Sequence, residues 1–231
     1  DVRRMLAEMK AETFAARAIG LACAAAIDMA RATGKADWQA RAALLTPIAK
    51  AYGTDTGCHV ASLGVQVHGG MGFIEETGAA QFSRDVRVTP IYEGTNGIQA
   101  MDLVGRKMMD RGEAAFRLID EVQADAETAR QTMPDLATAV WNAAKALREA
   151  TEILLAQELN DRFAGAVAYL RAFARVLGGH VHLKAACADA DRAPLAQFAI
   201  RRLLPEHAAL LAQVREGAAG VYAVSTQALT L

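Results

Sequence analysis

The sequence predicts an all-α protein, an antiparallel helical bundle over residues 1–111 followed by a second helical region over residues 112–231. Three observations carry that prediction. Hydrophobic residues make up 53% of the chain while aromatics make up only 6%, so the apolar content is mostly Ala, Leu and Val, which suits close-packed helices better than a β-sandwich. Apolar side chains recur at i, i+3, i+4 and i+7 over long windows. No stretch alternates apolar and polar residues long enough to be read as a strand, and there is no repeat or low-complexity tract.

Val2, Met5, Leu6 and Met9 open an apolar face that Ala16, Ile19, Cys23 and Ile27 continue, so a helix is expected from about residue 2 to 33, where Gly34 stops it. A second pattern begins near Asp37, and Thr46-Pro47 either kinks one helix or separates two. From Ile48 to His68 the residues Ala51, Tyr52, Cys58, Ala61, Val65 and His68 keep helical spacing. The run Gly69-Gly70-Met71-Gly72 then closes the helix, because glycine tolerates a left-handed cap. Residues 73–94 are expected to be loop with one short helix near Ala79 to Arg84. A helix restarts behind Thr95 as its N-cap, with Ile98, Met101, Gly105 and Met108 on one face, and Gly105 lets a neighbour pack closely. Arg111-Gly112 marks a joint.

Beyond the joint Phe116, Ile119 and Val122 begin a helix that Met133-Pro134-Asp135 breaks, with Pro134 at an allowed first-turn position of the next. Leu136, Val140, Ala143, Leu147 and Leu154 form the stripe of a helix reaching about Leu159. Phe163, Val167, Leu170, Ala174, Leu177 and Val181 continue in another, and Pro194 and Pro205 set off two short helices.

Charge and cysteine content narrow the function classes. The formal net charge is -1; residues 1–111 carry 13 basic against 12 acidic side chains and residues 112–231 carry 12 against 14. Neither half has the basic excess that nucleic acid or an anionic membrane requires, so neither partner is expected. Cys23, Cys58 and Cys187 are widely spaced with no CxxC pair and read as reduced, buried small hydrophobes, consistent with cytoplasm. No run approaches eighteen uninterrupted strongly apolar residues. The chain does not open on Met and is expected to be a piece of a longer protein. His180 and His182 lie two apart on a helix and diverge, so no metal site is expected, and Met101, Met108 and Met109 read as core.

The chemistry is concentrated in two segments, Gln66-Val-His-Gly-Gly-Met-Gly72 and, after an eighteen-residue spacer, Ile91-Tyr-Glu-Gly-Thr-Asn-Gly-Ile-Gln99. Glu93 stands at the lip of a helix, just before a glycine that lets a ligand approach the backbone, an arrangement suited to proton abstraction beside a bound cofactor. On position alone a capping or surface glutamate is the commoner outcome. The re-entrant corner of the first helical assembly is expected to hold both segments.

The residues resemble a definite family. Gln66 to Phe73 is similar to the flavin-contacting Gln-x-x-Gly-Gly-x-Gly-aromatic signature of acyl-CoA dehydrogenases, and Arg84-Asp85 followed by Tyr92-Glu93-Gly94-Thr95 is similar to that family's catalytic segment. The run through Asp102-Leu-Val-Gly-Arg-Lys107 and the helical tail resemble the branch of 3-methylmercaptopropionyl-CoA-dehydrogenase-like enzymes. The resemblance implies a carboxy-terminal helical domain over 1–111, lacking its first helix, with a helical extension over 112–231. It implies FAD as cofactor, an acyl-CoA as substrate, electron-transfer flavoprotein as electron acceptor and a homo-oligomer.

By the same resemblance Glu93 is the base that removes the α-proton of the acyl-CoA, and its backbone N–H is a donor to the thioester oxygen. Such a base has to be dehydrated by the bound substrate to be strong enough. Gln66 and Gly70 would meet the ADP portion of a flavin belonging to a neighbouring subunit; their plain alternative is a helix C-cap. Thr95 would cap its helix and touch flavin, while Tyr92 and Gly94 would line the acyl pocket. Arg84 and Asp85 fit either an ion pair or a ligand contact. One departure is that Gly97 occupies the place where many relatives carry a flavin-contacting glutamine, with Gln99 further along. Two readings of other classes remain beside this one: a non-catalytic helical oligomerisation module, and a relative of alkylation-response flavoproteins that engage DNA. The isolated chain is expected to be inactive.

Overall fold

A computed structural model describes residues 1–230. Among the described residues there is no strand. Helix α1 (Val2–Thr33) and helix α2 (Ala36–His68) form a long hairpin whose two-residue connection turns at Gly34, a left-handed C-cap with φ 66°. Its inner face sets mostly small side chains of α1 against larger ones of α2: Ala11, Ala15, Ile19, Cys23 and Ala26 of α1 are buried, with Leu44, Leu45, Ile48, Ala51 and Tyr52 of α2. Val2 and Leu6, expected on that face, are exposed. α2 stays one helix through Pro47, which is buried inside it. By length and composition α1 could also cross a membrane, a property the interrupted apolar runs of the sequence concealed.

A short turn α3 (Gly70–Phe73), a 3-10 turn (Glu75–Thr77) and α4 (Ala79–Val86) run back along α2. α5 (Asn96–Val104) follows an irregular stretch and ends at Gly105, whose missing Cβ would stand 3.4 Å from the Phe163 ring, the close approach expected there. The buried side of α5 is Ala100, Leu103 and Val104; Ile98 and Met101 are exposed, a quarter-turn error in the expected stripe. Met108 is core as expected, whereas Met109 is 81% exposed. The joint is made by two left-handed residues, Arg111 (φ 59°) and Gly112 (φ 76°).

The second part comprises α6 (Glu113–Ala129), α7 (Pro134–Ala156), α8 (Leu159–Ala188), α9 (Ala193–Phe198), α10 (Glu206–Arg215) and α11 (Ala219–Tyr222). A π-helical turn (Ala199–Leu203) follows α9. Pro134 sits at the first position of α7, where its missing N–H costs nothing. α7 ends at Ala156, short of Leu159, and Val167 on α8 is exposed. α8 packs against α1, α2, α5, α6, α7, α9 and α10, so one cluster of buried side chains runs through both parts of the chain.

Where α1, α2 and α8 meet, a charged group is buried. Arg175 Nη1 donates to Glu12 Oε1 at 2.6 Å, Arg175 Nε donates to Glu206 Oε2 at 2.5 Å, and the Tyr52 hydroxyl donates to Glu12 Oε2 at 2.6 Å. Burial opposes the charge on Arg175, but Tyr52, Glu12 and Glu206 outweigh it and keep the guanidinium protonated. Burial first, and then Glu12, pushes the Tyr52 phenol well above its ordinary range.

Candidate functional site

α2 carries both signature segments, one on its side and one at its end. At its end the Gly69 N–H donates to the Gln66 carbonyl at 3.1 Å and the Gly72 N–H to the Gly69 carbonyl at 2.9 Å, closing a tight corner. Gln66, Gly69 and Gly70 are exposed, and a Cβ on Gly69 or Gly70 would meet nothing within 4 Å. Backbone is therefore open to a ligand at these two glycines. Gly72 is different, because its Cβ would lie 2.2 Å from the Val65 carbonyl oxygen. Arg84 makes a two-pronged contact with Glu75 at 2.8 and 3.0 Å, not with Asp85, and its hydrogen bonds hold Glu75 below the usual carboxylate range.

The second segment is a backbone turn. Glu93 has φ 56° and Gly94 φ 79°, two consecutive left-handed residues of which only the second is a glycine. For a side chain like Glu this conformation costs about 1–2 kcal/mol, so something else holds it. The carbonyl of Glu93 accepts from Gln99 Nε2 at 3.2 Å, and the carbonyl of Gly94 accepts from Lys50 Nζ at 2.7 Å. Thr95 caps α5 as expected, its hydroxyl oxygen accepting from the Ile98 N–H at 3.3 Å. Among the described residues the N–H groups of Glu93, Gly94 and Thr95 donate to nothing within the chain. Three successive free backbone donors thus begin at Glu93.

Asn96 fastens this turn to the side of α2. Its Nδ2 donates to Asp55 Oδ1 at 2.7 Å, Thr54 Oγ1 at 2.9 Å and the Ala51 carbonyl at 3.2 Å, and its Oδ1 accepts from Lys50 Nζ at 2.8 Å. Beside it a cavity of about 150 Å³ opens between α2, α5 and α8, with Tyr52 and Arg175 on its wall.

The structure does not bring the two segments into one corner. Because α2 is unbroken from Ala36 to His68, the attachment of Asn96 near Ala51–Asp55 and the corner beyond Gln66 lie on the order of 20 Å apart along it, at 1.5 Å of rise per residue. Glu93 and Tyr92 are exposed, as is Gly94. The chain by itself does not shield the carboxylate from water. Sequence reading missed Lys50 and Asn96; the only trace was a polar cluster at Lys50, Thr54 and Asp55 in an otherwise small and apolar helix. His180 and His182 diverge as expected, His180 Nε2 to Asp125 at 2.8 Å and His182 Nε2 to the Ala11 carbonyl at 3.1 Å, and no metal-binding group occurs among the described residues. Cys23 is buried and Cys58 half-buried, but Cys187 is exposed, contrary to expectation.

Comparison with known proteins decides the lineage. Residues 1–109 match the model of the acyl-CoA dehydrogenase C-terminal domain, and residues 118–225 match that of the acetyl-CoA dehydrogenase C-terminal like domain. The chain belongs to the acyl-CoA dehydrogenase family.

Among family members, 3-methylmercaptopropionyl-CoA dehydrogenase of Ruegeria pomeroyi is 41% identical over 204 residues, covering 84% of this chain and 35% of that protein. A butyryl-CoA dehydrogenase of Syntrophomonas wolfei is 35% identical over 127 residues, 53% of this chain and 21% of that protein. The chain thus spans about a third or less of the length of these relatives. Two solved acyl-CoA dehydrogenases share the fold. ACDH-11 of Caenorhabditis elegans, in complex with C11-CoA, superposes with a TM-score of 0.71 at 23% identity, over 85% of this chain and 34% of that one. An enzyme of Bacillus anthracis complexed with FAD gives a TM-score of 0.73 at 18% identity, over 91% and 41%. The all-α architecture expected from the sequence is the fold of this family's helical region.

Proposed function

We propose that the chain supplies the base and part of the flavin contact of an FAD-dependent acyl-CoA dehydrogenase, which converts an acyl-CoA thioester to its trans-2-enoyl-CoA. The observation that carries the reading is Glu93 itself. A strained, left-handed, non-glycine residue is kept next to a left-handed glycine, with three free N–H groups around it. Backbone strain of this kind clusters at functional sites, and unlike the Arg111-Gly112 joint this turn has a carboxylate and falls within the resembled catalytic segment.

The Glu93 carboxylate takes the α-proton and becomes the carboxylic acid, while its own N–H donates to the thioester oxygen, where charge builds up as the proton leaves. Tyr92 and Gly94 line the acyl chain. The corner fits FAD: Gln66 offers an exposed carboxamide, and Gly69-Gly70 leave backbone that a pyrophosphate can approach. Gln66 and Gly70 would hold a flavin and Thr95 would touch one, and the separation of corner and turn along α2 favours two different flavins, one from a neighbouring subunit. When bound, the flavin supplies the acceptor for the β-hydrogen, which leaves as hydride. Water is excluded from Glu93 by bound substrate and by surfaces beyond this chain, so the chain alone is inactive. The exposed Met71, Phe73 and Phe82 near the corner fit burial in a homo-oligomer, and electron-transfer flavoprotein is the proposed electron acceptor.

The test is flavin bleaching by a panel of acyl-CoAs in the FAD-loaded holoenzyme that carries this chain. Glu93→Gln is expected to slow bleaching on the order of 10²- to 10⁴-fold with FAD retained. Undiminished bleaching by that variant would sink the assignment of the base and favour a purely structural role for the turn.

A further inference from the structure

We infer that Lys50 is a positioning residue for the Glu93 turn, and that its ammonium, not the turn's own sequence, sets where the carboxylate and the adjacent N–H groups point. The inference deepens the proposed function and rests on it. Two successive left-handed residues turn their carbonyls away from any helix or sheet partner, so the carbonyls of Glu93 and Gly94 depend on side-chain donors. Gln99 supplies one at 3.2 Å. That bond is local: it ties the turn only to the first turns of its own helix.

The other bond leaves the segment. Lys50 Nζ reaches the Gly94 carbonyl at 2.7 Å from forty-four residues away and joins it to α2. The same ammonium donates to Asn96 Oδ1 at 2.8 Å, which fixes the Asn96 carboxamide so that its Nδ2 faces Ala51, Thr54 and Asp55. One half-buried cation therefore secures the residue after Glu93 and the third residue after it. A charged donor to a carbonyl makes a shorter and stronger bond than a neutral one, and an ammonium can serve both acceptors at once. Removing it frees the peptide after Gly94 to rotate and lets Glu93 relax from φ 56° toward the right-handed region.

The first measurement is amide hydrogen exchange on the 231-residue chain with Lys50→Met and Lys50→Arg. Lys50→Met is expected to speed exchange at Asn96, whose N–H bonds the Pro90 carbonyl, by about tenfold, while α6 to α8 are unaffected and Lys50→Arg keeps most of the protection. Unchanged exchange at Asn96 overturns the inference, and so does equal loosening of α6 to α8, which would make Lys50 a general support of the fold. The second measurement is turnover by the FAD-loaded holoenzyme, where Lys50→Met is expected to lower kcat about tenfold with KM within about twofold, and Lys50→Arg to restore most of it. A holoenzyme with unchanged kcat overturns the positioning role. Glu93→Gln separates the two ideas: full activity in that variant removes Glu93 as base and leaves the exchange result intact.

Discussion

Gly70 and Gly72 sit two residues apart in the corner after α2 and do different work. Gly72 is buried with its α-hydrogen against the Val65 carbonyl, where a Cβ would come within 2.2 Å, so Gly72→Ala forces the backbone apart. Overpacking against backbone costs roughly 1–3 kcal/mol, and the variant is expected to lose that much in denaturant unfolding of the 231-residue chain. Gly70 is exposed with open space around it, and Gly70→Ala should leave stability within about 0.5 kcal/mol while lowering the FAD content of the purified holoenzyme. Equal destabilisation by both substitutions would mean that the corner is only a helix cap. Glu93 contrasts with both, since there the side chain is retained at a position whose backbone favours glycine.

Among the helices, α8 is tied to α1 and to α10 by one side chain, Arg175. Arg175 is 8% exposed and Glu12 2%, so truncating the arginine strands a carboxylate in the interior. Arg175→Met is expected to cost about 3–5 kcal/mol in chemical denaturation, and adding Glu12→Gln should recover part of the loss, because the stranded charge disappears. Strictly additive costs would show that the pair does not interact. Neither Glu12 nor Arg175 drew notice in the sequence, since a charged residue in a long helix normally faces water and its partner lies 163 positions away. Helix boundaries were easier to see: α1 has the limits expected from its apolar spacing and Gly34, α4 starts at Ala79 as expected, and α7 starts at Pro134. The face of α5 was misjudged because its roll is set by Asn96 fastened to α2 and by Phe163 of α8 against Gly105, contacts that local periodicity does not contain. The motifs singled out Glu93, Gln66 and Gly70, but the shared corner and the shielding from water expected for Glu93 are not made by this chain, and the motifs hid the Lys50 bond that holds the turn.

Across the whole molecule α8 is the shared spine, and its two buried histidines link it to both parts of the chain. His180 Nε2 donates to Asp125 of α6, while His182 reaches the Ala11 carbonyl of α1 and lies 4.8 Å, ring to ring, from Phe14. Burial lowers both imidazoles below their ordinary value of about 6.5, outweighing the pull of Asp125 on His180 and of the Ala11 carbonyl on His182. A depressed folded value means that the unfolded chain takes up the proton first. The contribution of each histidine is therefore complete above pH 6.5 and is lost as pH falls from there through the folded value. Carboxylates act in a lower window: Arg41 holds Glu121 below its ordinary value against burial, and Lys184 and His180 do the same for Asp125, so their contributions fade only as pH falls below about 4.5. Thermal midpoints of the 231-residue chain between pH 8 and 2 should thus stay level to about 6.5 and then drop in two stages. Replacing both histidines, His180→Gln with His182→Gln, is expected to remove the upper stage and leave the lower one. Because one core runs through both parts, a single cooperative transition should be seen throughout. A second transition that separates α6–α10 from the α1–α2 hairpin, or an upper stage that survives the double substitution, would show that α8 does not bind the two parts together in this way.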